Sequence, residues 1–395
     1  MLRKLVLLTS VFLSQVNHAN ADEQDFTGFV AYEQRLFSHN PQYSGQESGN
    51  QPNLVIEPEY YSVSEENGNS FTTKLFYRYD PNDNKRTHFD IRQFDLMHAK
   101  KHWELSAGIS KVFWGVTESR HLVDILNQTD TVEQIDGEEK LGQPMIQYAY
   151  LNDWGTLRFF YLPYFRERTF TGRSGRLRSQ LLINSDDSQY ANKAEEFHPD
   201  YAIRYEQNYG DWDIGLANFY GTSREAVLRQ SGNNLVPFYE IINQQSLDLQ
   251  YTIDSWLWKL EAIHRKGQGD NFLAMTGGFE YSFFGILSST ADLGLLYELS
   301  KDGRDYRAPS SAANNDSFVG LRYSRNNTQD SAFLIGLSID HNQGSQAWFA
   351  EASTRIGSNF KIELEGALYA NSDIEDLSYQ ITNDDFIQLN FAYYY

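Results

Sequence analysis

From Asp22 to Tyr395 the apolar residues of this chain recur at every second position almost everywhere, broken by clusters of Gly, Asn and Asp. The run from Asp385 to Tyr395 shows the pattern most clearly. As an extended strand it puts Ile387, Leu389, Phe391, Tyr393 and Tyr395 on one face and Phe386, Gln388, Asn390, Ala392 and Tyr394 on the other. A period of two over nearly the whole length specifies strands, and many strands in one chain raise the question of where their edges go. Candidate strands fall near 26–37, 52–64, 70–80, 87–99, 103–113, 143–151, 156–164, 197–207 and 212–220. A second set falls near 241–253, 256–266, 271–284, 290–300, 317–325, 331–340, 345–355, 360–370 and 384–395. The total is eighteen, an even number. The connections alternate in length: 38–51, 114–142, 165–196, 221–240, 301–316 and 371–383 are long, and those between them are tight turns such as 66–69, 152–155 and 357–359. Two odd connections, at 267–270 and 341–344, are short and break the rule.

An alternating strand that ends on an aromatic resembles the closing strand of bacterial outer-membrane β-barrels, and the loop-and-turn alternation resembles their long outer loops and short periplasmic turns. The resemblance implies one antiparallel barrel of about eighteen strands over 22–395. It also implies a partnership with the barrel-assembly machinery, which reads the terminal aromatic. Residues 1–21 read as a secretory signal peptide, with Arg3 and Lys4 before the apolar run Leu5 to Leu13 and small residues at Ala19 and Ala21. That run is too short to span a bilayer as a helix, which takes roughly 18 apolar residues. Aromatic residues make up 15% of the chain, yet mean hydropathy is −0.56. A lipid-facing aromatic band around a polar interior reconciles the two values. There is no cysteine, so no disulfide staples the exported chain, and a net charge of −20 argues against nucleic acid as a partner.

Alternation then assigns faces. Strand 360–370 sends Phe360, Ile362, Leu364 and Leu368 outward against Lys361, Glu363 and Glu365. Strand 70–80 sends Phe71, Leu75, Tyr77 and Tyr79 outward, with Lys74 and Arg78 inside. Charges on a lipid face cost about 2–4 kcal/mol each near the midplane, so charged positions belong to the lumen. The expected pore lining is Lys74, Arg78, Arg92, Arg158, Arg204, Lys259, Glu261 and Arg322.

Two segments carry further chemistry. From Val112 to Asp130 the period leaves two and becomes helix-like, with Leu122, Ile125 and Leu126 on one side and Glu118, Arg120, His121 and Asp124 carrying charge. Its Trp-Gly followed by spaced Asp and Asn resembles a segment of porin-like and polymer-export barrels, where a long early loop folds inward and narrows the pore. Glu118, Arg120, His121 and Asp124 are accordingly the expected constriction. In the next long loop, Arg166, Arg168, Arg173, Arg176 and Arg178 form a basic cluster suited to phosphates or carboxylates. It would collect anions at the mouth or meet lipopolysaccharide.

No Gly-x-Ser-x-Gly elbow and no His-Glu-x-x-His or cysteine metal spacing occurs, so the expectation is a non-enzyme with no cofactor and no metal. The expected protein is a porin-like channel in the outer membrane, in contact with its lipid and lipopolysaccharide. It would pass small polar solutes, anionic ones on the strength of the lumenal arginines. The alternatives are a dedicated transporter or exporter of a polymer or organic acid, and a structural barrel with a plugged lumen. Oligomeric state is left open.

Overall fold

The computed structural model describes residues 23–64, 66–134, 136–311 and 313–395; residues 1–21, expected to be a signal peptide, lie outside them. Eighteen strands form one sheet. They are β1 (Glu23–Phe37), β2 (Asn50–Ser64), β3 (Asn69–Tyr79), β4 (His88–Lys100), β5 (Trp103–Ser110), β6 (Gln143–Asn152), β7 (Gly155–Leu162), β8 (Asp200–Tyr209) and β9 (Trp212–Thr222). The second half comprises β10 (Ile241–Ile253), β11 (Trp256–Lys266), β12 (Phe272–Phe283), β13 (Asp292–Asp302), β14 (Asn315–Ser324), β15 (Ala332–Asp340), β16 (Gln346–Ile356), β17 (Phe360–Ala370) and β18 (Phe386–Tyr394).

Each strand pairs antiparallel with its neighbours in the chain, and the last closes on the first, from Phe29 opposite Tyr394 to Phe37 opposite Phe386. Closure removes both edges, which is what a sheet surrounded by hydrocarbon requires, since lipid offers no hydrogen bonds to an unpaired strand. Every strand expected from the alternation is present, within a few residues at each end. The short turns cluster at one end of the barrel and the long connections at the other.

Outward faces follow the alternation, with one instructive exception. On β4, Phe89 faces out while Asp90 and Arg92 are buried inside, yet Phe94 and Leu96 also face out. The phase changes because Lys74 pairs with Gln93 and Leu75 with Ile91, so Arg92 is an extra residue in a β-bulge. Both Arg92 and Gln93 consequently turn inward.

Two features differ from the sequence expectation. The helix-like run after Val112 forms no helix and runs as irregular chain with turns. Furthermore, the long connections 163–199 and 223–240 carry a small sheet of their own. A hairpin of Val227–Ser231 and Asn234–Tyr239 pairs in parallel with the short segments Leu182–Ile183 and Gln189–Tyr190.

Candidate functional site: an inward loop and the cavity beside it

The connection 111–142 folds into the barrel. Its Trp114, Leu122, Val123, Ile125 and Leu126 bury against Phe160, Leu162, Ala202, Phe219, Ile242, Ile263, Phe272 and Ala274 on the inner wall of β7 to β12. A porin interior is ordinarily polar. Here the wall of β7 to β12 carries an apolar patch where the loop sits on it. Burying a large apolar side chain is worth about 1.5–3 kcal/mol as an upper figure, so five of them hold the loop strongly.

Two wall carboxylates explain why the loop is not helical. Glu261 accepts from the Val116 N–H at 2.7 Å, the Thr117 N–H at 3.1 Å, the Thr117 hydroxyl at 2.8 Å and the Val123 N–H at 3.1 Å. Glu298 accepts from the N–H groups of Glu118 and Ser119, both at 2.8 Å, and from the Ser119 hydroxyl at 2.6 Å. Backbone donors that a helix would direct to carbonyls four residues back are directed to ionised acceptors instead, the stronger partners. Gly115 makes this approach feasible, because a Cβ there would lie 2.8 Å from His121 Nδ1 and 3.0 Å from Glu261 Oε1.

The four expected constriction residues all lie on this inward loop, each with a partner. Glu118 meets Arg322 at 2.6 Å and Lys259 at 3.9 Å. Arg120 meets Asp302 at 2.9 Å, and Asp124 meets Lys140 at 3.0 Å. His121 stands 2.9 Å from Glu138 and 3.8 Å from Glu261. Burial opposes its charge, but the two carboxylates beside it outweigh burial and push its pKa up to about 10.

The expected lumenal residues all face inward but divide into two groups. Lys74, Arg78, Arg92 and Arg322 line a cavity of about 850 Å³ between the loop and the wall of β14 to β18 and β1 to β4. Arg158, Arg204, Lys259 and Glu261 do not line it. Arg204 is clamped by both oxygens of Asp248 at 2.7 and 2.9 Å and lies over the Trp114 ring. Arg158 meets Glu206 at 3.0 Å and Glu104 at 3.8 Å. Both guanidinium groups are neutralised in place by wall carboxylates.

The cavity is acidic on balance. Its lining holds ten carboxylates (Glu33, Glu57, Glu118, Glu133, Asp136, Glu138, Glu139, Glu351, Glu363 and Glu365) against six cations (Lys74, Arg78, Arg92, Lys111, Arg322 and Lys361). Glu351 sits directly opposite Glu365 on adjacent strands. Asp136 at the loop tip is exposed to the cavity space. Confinement within the barrel, with Glu365, Glu138 and Glu351 nearby, pushes its pKa up to about 7. Ion pairs stand above Glu133. Arg78 holds Glu133 at 2.7 Å and also Glu33, Arg92 meets Asp130 at 2.9 Å, and Arg86 meets Asp80 at 3.1 Å.

The mouth arginines do not form one anion receptor. Arg166 pairs with Asp90 at 2.8 Å, and Arg168 donates to the Arg224 carbonyl at 3.0 Å. Buried Arg176 crosses to the far side, where it meets Asp384 at 2.6 Å and the carbonyls of Asn383, His39 and Glu47. Arg178 donates to the carbonyls of Arg173 and Ser179. Of the five only Arg173 is exposed. Arg168 and Arg176 tie their loop to others, Arg166 ties it to β4 and Arg178 braces it from within, because these groups supply carbonyls and carboxylates at closer range than solvent anions.

Sequence reasoning missed Arg224 and Glu225, neighbours in the connection 223–240. Arg224 meets Asp200 at 2.6 Å and donates to the Leu126 carbonyl of the inward loop. Glu225 lies between Arg265 and Arg304, the latter at 3.3 Å; despite burial, those two guanidinium groups hold its carboxyl well below the usual range. An adjacent pair of opposite charges in a loop gave no periodic signal to find them by. His88, Asp130 and Glu133 also bring possible metal-ligand atoms within 4.8 Å of one another. Arg92 and Arg78 already hold the two carboxylates, and His88 Nε2 lies 3.4 Å from Asp130 and 3.5 Å from Glu133.

The fold defines a class, the eighteen-stranded porin-type barrel with an inward loop. OpdO of Pseudomonas aeruginosa has the same architecture, with a TM-score of 0.56 and 10% identity over 96% of this chain and 98% of its own. Wzi of Escherichia coli, an outer-membrane protein involved in group 1 capsule assembly and described as a carbohydrate-binding β-barrel, gives 0.55 and 8% over 97% and 87%. A BenF-like porin from Pseudomonas fluorescens gives 0.53 and 11% over 94% and 97%. At such identities the likeness is one of fold. No family model matches the chain, and no curated protein matches it by sequence.

Proposed function

We propose that this protein is an outer-membrane channel for small hydrophilic solutes, with passage governed by the inward loop 111–142. The observation that carries the reading is the charged cavity of about 850 Å³ left beside the loop. A barrel of this strand number encloses more space than its side chains fill, and here the remainder is lined with ionisable groups. The excess of carboxylates in that lining supports cationic or zwitterionic solutes over anionic ones, since charges nearest the permeant ion are the least screened. The barrel relatives that are porins favour a channel; the cavity's own chemistry sets the solute class.

The ion pairs above Glu133 favour a second reading, a barrel that binds a glycan and does not conduct at rest. Planar-bilayer recording separates the two. The channel reading expects discrete conductance steps and reversal potentials favouring potassium over chloride. It also expects larger steps in the E261Q/E298Q double variant, in which the loop loses its ionised anchors. Chloride preference would overturn the solute class. Silence in both proteins would overturn the channel.

A further inference from the structure

The outer wall of β6 to β11 carries an irregularity that the channel does not use. Near the end with the long loops, lateral neighbours on the outward face run Ile146, Tyr161, Tyr201, Tyr220, Asn243 and Lys266, each opposite the next in register. One step nearer the barrel's middle the row runs Tyr148, Phe159, Ile203, Asn218, Gln245 and His264. The row below that on β9 to β12 is wholly apolar, with Leu216, Leu247, Ala262 and Met275. Three polar side chains thus stand together on the lipid side of a tyrosine row, where polar groups without partners are costly. Their mutual bonds are long: Asn218 and Asn243 exchange amide hydrogen bonds at 3.3 and 3.4 Å, Asn218 also reaches the Gln244 carbonyl at 3.4 Å, and His264 Nδ1 lies 3.4 Å from the Gln245 side-chain oxygen. The Gln245 amide nitrogen and His264 Nε2 are left over, with no hydrogen bond among the described residues.

The apolar halves of the same two rows enclose a groove of about 420 Å³, walled by Tyr148, Phe159, Tyr161, Tyr201, Ile203 and Tyr220. Asn218 forms its polar edge. Lys266, exposed at the end of the outer row, has no ion pair among the described residues. The surface is therefore in two parts, a channel for a hydrocarbon chain and, beside it, a ladder of amides ending in a cation.

We propose that this surface seats one acylated, phosphorylated glycolipid of the outer leaflet, the chemistry of lipopolysaccharide. An acyl chain lies in the tyrosine-walled groove. Amide and hydroxyl groups of the acylated sugar bond to Asn218, Gln245, Asn243 and His264, and a phosphate reaches Lys266. The direction fits, because the groove descends from the loop-bearing end toward the middle of the barrel. A plain phospholipid would fill the groove but leave the amide ladder unsatisfied. The inference rests on the barrel spanning the outer membrane with its long loops outward and is independent of what the channel passes.

Native mass spectrometry of the full-length barrel in detergent, titrated with purified diphosphoryl lipid A, tests the proposal. A variant carrying N218L, Q245L and H264L keeps the outer wall apolar and remains compatible with lipid, and heat-modifiable migration reports whether it folds. Folded variant should bind lipid A at least about tenfold more weakly, the size expected from losing two or more hydrogen bonds. A second variant, I203W, fills the groove and should weaken binding with the ladder intact. Equal affinity in wild type and both folded variants would overturn the proposal. So would equal affinity of the wild type for phosphatidylglycerol, which would make the groove an ordinary lipid contact. A loss of oligomer mass in the leucine variant would assign the surface to a second copy of the chain instead.

Discussion

At the scale of single residues, charge pairing decides more than charge count. Arg158 and Arg204 were legible in the sequence as inward-facing, because alternation fixes the side of a strand. Their neutralisation by Glu206 and Asp248 was not, because cross-strand partners depend on register. Asp136 shows the opposite case, an acid placed among acids. An acid whose folded pKa lies above its unfolded value of about 3.9 destabilises the fold as pH rises through that interval, and the penalty is complete above about 7. Over the same range the cavity gains a negative charge at the loop tip. Cation preference measured from reversal potentials should therefore increase from about pH 5.5 to about pH 8.5, with its midpoint near 7. The D136N variant should show a flat profile over that range, and an unchanged slope in that variant would remove Asp136 from the permeation path. His121 runs the other way. Its pairing with Glu138 and Glu261 strengthens the loop's hold below about 6.5, and that contribution is lost as pH climbs through about 10.

At the scale of elements, all eighteen strands could be read because lipid on one side and water on the other enforce a period of two. The same logic failed at two places for identifiable reasons. A β-bulge at Arg92 shifts the phase by one residue, which strict alternation has no means of foreseeing. The loop from Val112 to Asp130 has helical spacing but no helix, since Glu261 and Glu298, well over a hundred residues away in sequence, take its backbone donors. The closing strand carries its own test. Removing Tyr393, Tyr394 and Tyr395 deletes the pairing of Tyr394 with Phe29 and of Tyr393 with Val30. It also removes the ring contact of Tyr395 with Phe26. The freed backbone of β1 would then face hydrocarbon, where each unsatisfied group costs several kcal/mol. The heat-modifiable folded fraction in outer-membrane preparations should fall severalfold. Wild-type levels after this deletion would mean that the ring is held by other means.

At the scale of the whole molecule, orientation is the prediction with the widest reach. Epitope tags at Arg173, exposed on the long-loop end, should bind antibody on intact cells. Tags in the turn Asn67 to Asn69, at the opposite end, should bind only after the outer membrane is permeabilised. Reversed access would invert the barrel, and equal access would take it out of the membrane. The architecture as a whole was readable, but the small sheet built by 182–190 and 227–239 was not, because two of its four strands are only two residues long.

The seating of loop 111–142 also bears on how such a molecule can be made. Its apolar residues rest on β6 to β12, a contiguous block in the middle of the chain, and not on β1 or β18. The seam that shuts the ring joins residues from opposite ends of the chain, the slowest kind of contact to form. A loop threaded into a finished ring would have to strip water from both apolar surfaces in a confined space. A loop that docks on the open, curved sheet of β6 to β12 meets no such obstacle. The seating thus leaves the loop free to dock on the middle of the chain before the two ends meet around it.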